Sequence, residues 1–348
     1  MRIAKGDPMA TKRYLVILNA NAGCTTSTPR LEERIRAGLG EDEGSKVLFV
    51  RCQDPQEARR TASAAARTGR FDALVVVGGD GSHHQLLDAV ADSGLPLGVI
   101  PLGTANDLAA NFGIQGGDVE GACAVIREGR FVSLDLVEVG KKCFATGGGM
   151  GVPARVAMSV DDLRKRYAAF RLLMSLVGHY IYPIVTLFTL LLTRKLHERY
   201  EIETARGKRC EVEGYAALLM NFRSLGKHFQ AAPSAKHSDG LVDVVLIERK
   251  GPRGLARLRF LMTVLHIARG THMGRSDVHH LRARSFTIAA PQGASACMAD
   301  GELIATANTL SVRVRSRALD LLVPAAHADR LRKTGLASSP APPKALAR

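Results

Sequence analysis

Residues 75–84 read VVVGGDGSHH. Three β-branched residues run straight into Gly78, Gly79, Asp80, Gly81 and Ser82. A plain turn needs one glycine; three glycines around one carboxylate describe a backbone that a bulky, charged group must approach closely. With no Cβ in the way, the N–H groups of such a loop can face a phosphate chain. Asp80 would then be repelled by the phosphates unless a cation lay between them, and magnesium is the natural mediator. The plainer reading of the same residues is a tight structural turn.

A second stretch argues against the plain turn. Residues 97–109 read LGVIPLGTANDLA, an apolar run followed by Gly103, Thr104, Asn106 and Asp107. A helix starts just after, and a helix start carrying Thr and Asn is a good seat for an anion. Upstream, the apolar run Tyr14–Asn19 ends in a small polar loop holding Asn19, Asn21 and Gly23. Between these loops, strand and helix patterns alternate. Strands are expected at Tyr14–Asn19, Lys46–Arg51, Ala73–Val77 and Leu97–Pro101. Helices are expected at Leu31–Leu39, Gln56–Arg67 (opened by Asp54 and Pro55), His84–Ala91 and Ala122–Glu128. This order predicts an open, mostly parallel α/β sheet over residues 12–136. Ligands gather at the carboxyl ends of such strands, so the loops should share one rim and hold a nucleoside triphosphate.

The second half has another character. Short strands are expected at Val137–Val139, Lys142–Thr146, Tyr200–Thr204, Glu211–Asn221, Val242–Glu248, Ser285–Ala289, Leu310–Arg315 and Leu319–Val323. They describe an all-β sandwich or barrel over 137–318, with the sandwich preferred, interrupted by amphipathic helices within Asp161–Glu198, with 319–333 free to rejoin the first domain. The tail 334–348 is rich in Pro, Ala and Ser and reads as disordered.

Composition narrows the partners. The 348 residues carry a formal net charge of +15, which favours anionic lipid, nucleic acid or phosphorylated ligands. Tryptophan is absent and aromatic residues make up only 5%, so base-stacking platforms are scarce and nucleic acid is not expected. The six cysteines are scattered without a Cys-x-x-Cys pair, and the N-terminus has no apolar leader core, which fits a reduced, cytosolic chain. No Gly-Lys pair followed by Ser or Thr makes a P-loop. Gly149–Ala154 fits a relaxed dinucleotide fingerprint in form only, because Pro153 breaks it and no clean βαβ unit surrounds it. His83 and His84 read as one exposed and one packed histidine at a helix start. His266, His272, His279 and His280 match no metal-ligand spacing and read as solvated loop residues.

GGDGS followed about twenty residues on by IPLGTANDLA resembles the diacylglycerol kinase catalytic-domain family, in its bacterial lipid-kinase branch. The resemblance covers nearly the whole chain. Asn19–Gly23 resembles the family's first nucleotide loop, Ser238–Asp243 after Ala232-Pro233 its metal-loop segment, and Asp300-Gly301-Glu302 its late Asp-Gly-Glu motif. GGDG alone would say little, since NAD kinases and phosphofructokinases carry it too. The resemblance implies an ATP- and magnesium-dependent kinase for a lipid hydroxyl, diacylglycerol by default, with a nucleotide domain, a β-sandwich domain and an active site in the cleft between them. It implies that Glu302 is the general base, with Asp80 and Asp300 beside it in catalysis. It assigns Asp80, Asp107 and Asp135 to the catalytic magnesium, and Asp239 with the Leu241 carbonyl to a structural one. Asn19, Asn21, Gly23, Gly78, Gly79, Gly81, Ser82, Gly103, Thr104 and Asn106 would hold ATP. The sequence departs from the family pattern at Ala20, Ala22, His84-Gln85 and the segment 144–151.

Leu172–Thr193 runs for 22 residues without a formal charge and is flanked by Arg164, Lys165, Arg166 and Arg171 on one side and Arg194, Lys195 and Arg199 on the other. A membrane span there would separate the second domain's early strands from its late ones. Interfacial helices on an anionic membrane surface are preferred, with a core or homodimer helix as the alternative. The expectation is a cytosolic lipid kinase bound peripherally to the inner face of the membrane. The rival readings are a kinase for another lipid alcohol (a sphingoid base, monoacylglycerol or phosphatidylglycerol), a soluble NAD-kinase-like enzyme, and a catalytically silent lipid-binding regulator.

Overall fold

The structure, a computed structural model, describes residues 11–19, 29–103, 105–167, 170, 181–193, 196–225 and 229–333. Asn21, Gly23 and Thr104 lie outside the described residues, as do 171–180 of the apolar stretch and the tail 334–348. The chain divides into two units. Residues up to Leu136 and from Ser316 onward form the first, and Val137–Arg315 form the second.

The first unit begins with β1 (Arg13–Asn19), α1 (Pro29–Gly38), β2 (Lys46–Cys52), α2 (Pro55–Thr68) and β3 (Ala73–Gly78). It continues through α3 (Asp80–Val90), β4 (Leu97–Pro101), α4 (Asp107–Asn111) and α5 (Val119–Glu128), and β5 (Phe131–Val139) leads out of it. All residues of β3 and β4 are buried, the signature of parallel strands covered on both faces. Asp54 caps α2 as its sequence suggests, Oδ1 accepting from Gln56 N at 2.7 Å and Glu57 N at 2.8 Å, with Pro55 in the first turn. The strands lie in the order β2-β1-β3-β4, all parallel. The chain turns one way from β1 to β2 and the other way to β3 and β4, so the gap between β1 and β3 is the point where strand order reverses. Helix α1 packs with α5 and α2 with α3.

The second unit contains β6 (Lys142–Phe144), β7 (Gly147–Gly151), α6 (Val152–Arg166), α7 (Ile181–Leu192), β8 (Glu198–Thr204), β9 (Arg209–Met220) and β10 (Val242–Glu248). Next come α8 (Arg253–Ala268), β11 (Val278–Ala283), β12 (Ser285–Ala289), β13 (Ser295–Ala299) and β14 (Glu302–Ala307). Strand β15 (Thr309–Leu322) returns the chain to the first unit, where α9 (Ala325–Lys333) follows. Strand β9 is the corner of this unit. Its first half pairs with β8, and its second half pairs with β7 on one edge and β10 on the other. The ladder slips where Gly214 meets Glu248, and a Cβ on Gly214 would sit 2.6 Å from the Ile247 carbonyl oxygen. Such a bend lets one strand serve both layers of a β-sandwich-like fold. One core, containing Phe144, Tyr200, Leu219, Phe286 and Val312, fills the sandwich. A second, containing Val156, Leu190, Tyr215, Leu218 and Phe260, joins α6, α7 and α8 to the other face of β9 and β10.

Several boundaries differ from the sequence reading. Helix α3 starts at Asp80, so only Gly78 and Gly79 form the loop, and His83 and His84 are both buried along the helix. Helix α6 starts at Val152, with Gly151 at φ +77° as its cap and Pro153 tolerated in the first turn, and Glu198 is already strand. Strands β7, β11, β13 and β14 were not foreseen. His279 and His280 sit in β11 and pair with Glu248 and Asp243, while His272 is fully buried with Nε2 2.9 Å from the Ala231 carbonyl. The expected strands 310–315 and 319–323 are one strand. Its inward residues Leu310, Val312 and Val314 alternate in the sandwich, whereas Leu319, Leu321 and Leu322 are buried in the parallel sheet. Arg317 marks the change, at φ +53°, with its amide held by the buried Asp135 at 2.7 Å.

Leu97 is fully buried between Leu74 and Leu321 on neighbouring strands. Leu97→Ala is expected to destabilise the first unit by about 2–5 kcal/mol, read as a lower midpoint in urea unfolding.

Candidate active site

The rim of the first unit follows from strand register. Leu18 stands opposite Val77, and Gly78 stands opposite Pro101. The ends of β1, β3 and β4 are therefore abreast. The two glycine loops touch. A Cβ built on Gly103 would lie 2.5 Å from the Gly79 Cα, and one on Gly79 would lie 3.0 Å from the Gly103 Cα. No side chain fits between them, so part of the glycine content serves backbone contact within the protein and not ligand approach. Gly79 caps α3, leaving Asp80, Gly81 and Ser82 in its first turn, where the helix dipole favours an anion. Asp80 and Gly81 are partly exposed and Ser82 is buried.

The side chain of Asn106 is bound to its own loop. The residue takes a left-handed backbone (φ +53°), and its amide is spent on Gly103: Oδ1 accepts from the Gly103 N–H at 3.0 Å and Nδ2 donates to the Gly103 carbonyl at 2.6 Å. It braces the loop from within. Helix α4 has only five residues, and partly exposed Asp107 opens it. Asp135 is fully buried and committed at least to the Arg317 amide. Among the described residues, no three His, Cys, Asp or Glu side chains gather into a metal-binding group. Asp80 and Asp107, both partly exposed and each the first residue of the helix that follows one of the two touching glycine loops, fit a magnesium ion that takes one or two carboxylates and leaves its other positions to phosphate and water.

In the second unit, the turn between β13 and β14 carries Asp300, Gly301 and Glu302. Asp300 has φ +49° and a fully engaged carboxylate. Oδ2 accepts from Ala145 N at 2.8 Å, and Oδ1 accepts from Thr146 N at 3.0 Å and Thr146 Oγ1 at 2.5 Å. Buried Asn221 donates to the Ala145 carbonyl at 2.6 Å from beneath. The Asp300 side chain thus pins the turn, and partly exposed Glu302, first residue of β14, is the carboxylate it presents.

The expected structural magnesium site at Asp239 does not fit. Asp239 Oδ1 accepts from the Leu241 N–H at 3.1 Å, and Oδ2 pairs with the Arg282 guanidinium. Arg282 also lies 3.4 Å from buried Asp243, which pairs with His280 at 2.6 Å. A fixed cation already stands where a dication would have to sit.

With this geometry in hand, comparison with known proteins is decisive. A diacylglycerol kinase catalytic domain matches residues 13–139, and the YegS C-terminal NAD kinase beta sandwich-like domain matches residues 149–323. The chain belongs to the diacylglycerol kinase catalytic-domain family. It is a lipid kinase at the level of that family. A diacylglycerol kinase of Mycobacterium tuberculosis (strain CDC 1551 / Oshkosh) is 27% identical over 280 residues, spanning 77% of this chain and 85% of the relative. One of Staphylococcus saprophyticus is 26% identical over 233 residues, spanning 66% and 70%. A crystal structure of a diacylglycerol kinase from Bacillus anthracis shares the fold at TM-score 0.63 and 15% identity, covering 90% of this chain and 98% of the other.

Within this diacylglycerol kinase family member, sequence reasoning missed Thr146, Asn221 and β7. The signal was present in Gly147–Gly149, where three glycines in a row look like a loop. The glycines are strand residues, because a Cβ on Gly148 would lie 2.3 Å from the Met298 carbonyl oxygen in β13. Arg282, spaced far from Asp239 in sequence, gave no signal.

Two outcomes check the geometry. Gly103→Ala is expected to cost more stability than Gly79→Ala, about 1–3 kcal/mol, because its Cβ would lie 2.5 Å from backbone where that of Gly79 would lie 3.0 Å away; chemical denaturation of both variants measures it. Chelation of divalent metal should leave the melting temperature of the unliganded protein unchanged, while Arg282→Met should lower it by stripping the cation from Asp239 and Asp243.

Proposed function

We propose that this lipid kinase transfers the γ-phosphoryl of ATP to the free hydroxyl of diacylglycerol, giving phosphatidic acid. The observation that carries the reading is the rim where β1, β3 and β4 end abreast and Gly79 meets Gly103. A triphosphate laid across it meets main-chain N–H groups and the first turn of α3 without side-chain obstruction. Magnesium, when bound, supplies neutralisation of the charge on the phosphate oxygens, and Asp80 and Asp107 are the residues that would hold it.

Glu302 is the group assigned to the acceptor proton. As the hydroxyl oxygen bonds to the γ-phosphorus, its proton passes to the Glu302 carboxylate. The bond from that phosphorus to the β,γ-bridging oxygen breaks, and ADP leaves with the electron pair. A carboxylate is base enough because the proton is lost late, as the phosphoryl group is already moving. Asp300 and Thr146 hold the turn that presents Glu302, so they act as positioning residues. The relatives named diacylglycerol kinase support diacylglycerol as the default acceptor. The place of work is the cytoplasmic face of a membrane, with peripheral attachment; no described helix is long and apolar enough to cross one.

Glu302→Gln should lower transfer from labelled ATP to diacylglycerol in mixed vesicles by about 10²–10⁴-fold while leaving nucleotide affinity within about twofold. Chelation of magnesium should stop transfer by the wild type and re-addition should restore it. Equal loss of transfer and nucleotide affinity in Glu302→Gln would overturn the assignment of Glu302. Phosphorylation of a sphingoid base, monoacylglycerol or phosphatidylglycerol in preference to diacylglycerol would replace the acceptor.

A further inference from the structure

Helix α8 is apolar on two opposite faces. Ala256, Phe260, Thr263 and Ile267 are buried against the second unit's core, at the i, i+4, i+7, i+11 spacing of one helical stripe. Leu255, Leu258, Met262 and Leu265 repeat at i, i+3, i+7, i+10 on the outer side and are 43–55% exposed. Helix α7 carries no charged residue, and Ile184, Leu187, Phe188 and Leu192 are exposed along it. The two helices belong to one packed cluster, and Arg257 on α8 donates to the carbonyl of Thr193, just beyond α7, at 2.5 Å. Of the twelve exposed large hydrophobic side chains among the described residues, eight lie on α7 and α8, so the exposure is concentrated and not scattered.

We infer that α7 and α8 together form a face that seats on an anionic bilayer, with their outer apolar side chains entering the headgroup–acyl boundary. The charges choose the occupant. Neither helix contains Asp or Glu, and Arg259 and Arg269, both exposed, make no ion pair among the described residues. A second copy packed through the same face would bring these arginines toward one another with no carboxylate from either helix to answer them. An anionic headgroup layer answers them directly, and the chain's net charge of +15 adds long-range attraction. The inference extends the lipid-kinase reading, because an acceptor with acyl tails stays in the bilayer. Helix α8 was not foreseen as part of such a surface from sequence.

The test uses the full chain and three readouts. Co-sedimentation is measured with vesicles of phosphatidylcholine alone and of phosphatidylcholine with phosphatidylglycerol, at low and at about 1 M salt, where the Debye length falls to about 3 Å. Wild type should bind the anionic vesicles, and high salt should weaken that binding. The variant Leu258→Ser/Met262→Ser/Leu265→Ser should lose at least about tenfold in binding with its melting temperature kept. Arg259→Glu/Arg269→Glu should lose its preference for the anionic vesicles. Transfer to a short-chain diacylglycerol dispersed in detergent should survive in both. Wild-type vesicle binding by the triple serine variant would overturn the docking face, as would a wild-type dimer that this variant converts to monomer without change in vesicle binding. Absent transfer to dispersed diacylglycerol by the wild type, with vesicle binding intact, would instead overturn the kinase reading and leave the docking face standing.

Discussion

The contact on which the first unit's site depends is backbone against backbone: Gly79 on Gly103, with no room for a methyl group between them. It exists because β3 and β4 are parallel, adjacent and in a register that places Gly78 opposite Pro101. Remove either glycine and the loops must part, which would carry Asp80 and the first turn of α3 away from Asp107. The Asn106 amide, bonded to both backbone groups of Gly103, braces that contact from the second loop. Steric closeness therefore comes first, and chemistry at the rim is built on it.

The second unit solves a similar problem with hydrogen bonds. Asp300 takes a left-handed backbone that a non-glycine residue avoids, and three donors from Ala145 and Thr146 offset the strain. The acceptor geometry fixes the start of β14 and hence the Glu302 backbone. Asp239 and Asp243 are paired instead with Arg282 and His280.

How much of this could be read from the residues alone depended on range. The parallel sheet was legible because β1, β3 and β4 each carry a continuous apolar run that gives way to a polar loop, and because Asp54-Pro55 states a helix start locally. The shared rim followed from topology. The bracing roles of Asn106 and Asp300 were not legible: a side chain that ties down its own loop has the same identity as one that binds a ligand. Strands β7, β13 and β14 escaped because glycine and alanine carry little β signal, and their pairing depends on close backbone approach between distant segments. Strand β15 was split in two because its burial pattern changes from alternating to continuous at Arg317, where it passes from the sandwich to the parallel sheet. Helix α8 drew no expectation from sequence, since apolar residues on its inner and outer faces are indistinguishable until something packs on only one of them.

The return of β15 to the sheet has a consequence for biosynthesis. Leu321 pairs with Leu97, and β5 also pairs with β15, so a strand from near the end of the chain completes a sheet begun at its start. As the polypeptide emerges from the ribosome, β1 to β4 are available long before Ser316–Leu322 exists, and β4 presents an open hydrogen-bonding edge throughout the synthesis of residues 137–315. The first unit cannot finish folding ahead of the second, despite being begun first. A chain truncated before β15 would leave that edge bare, a template for aggregation, which gives quality-control machinery a direct way to recognise an unfinished molecule.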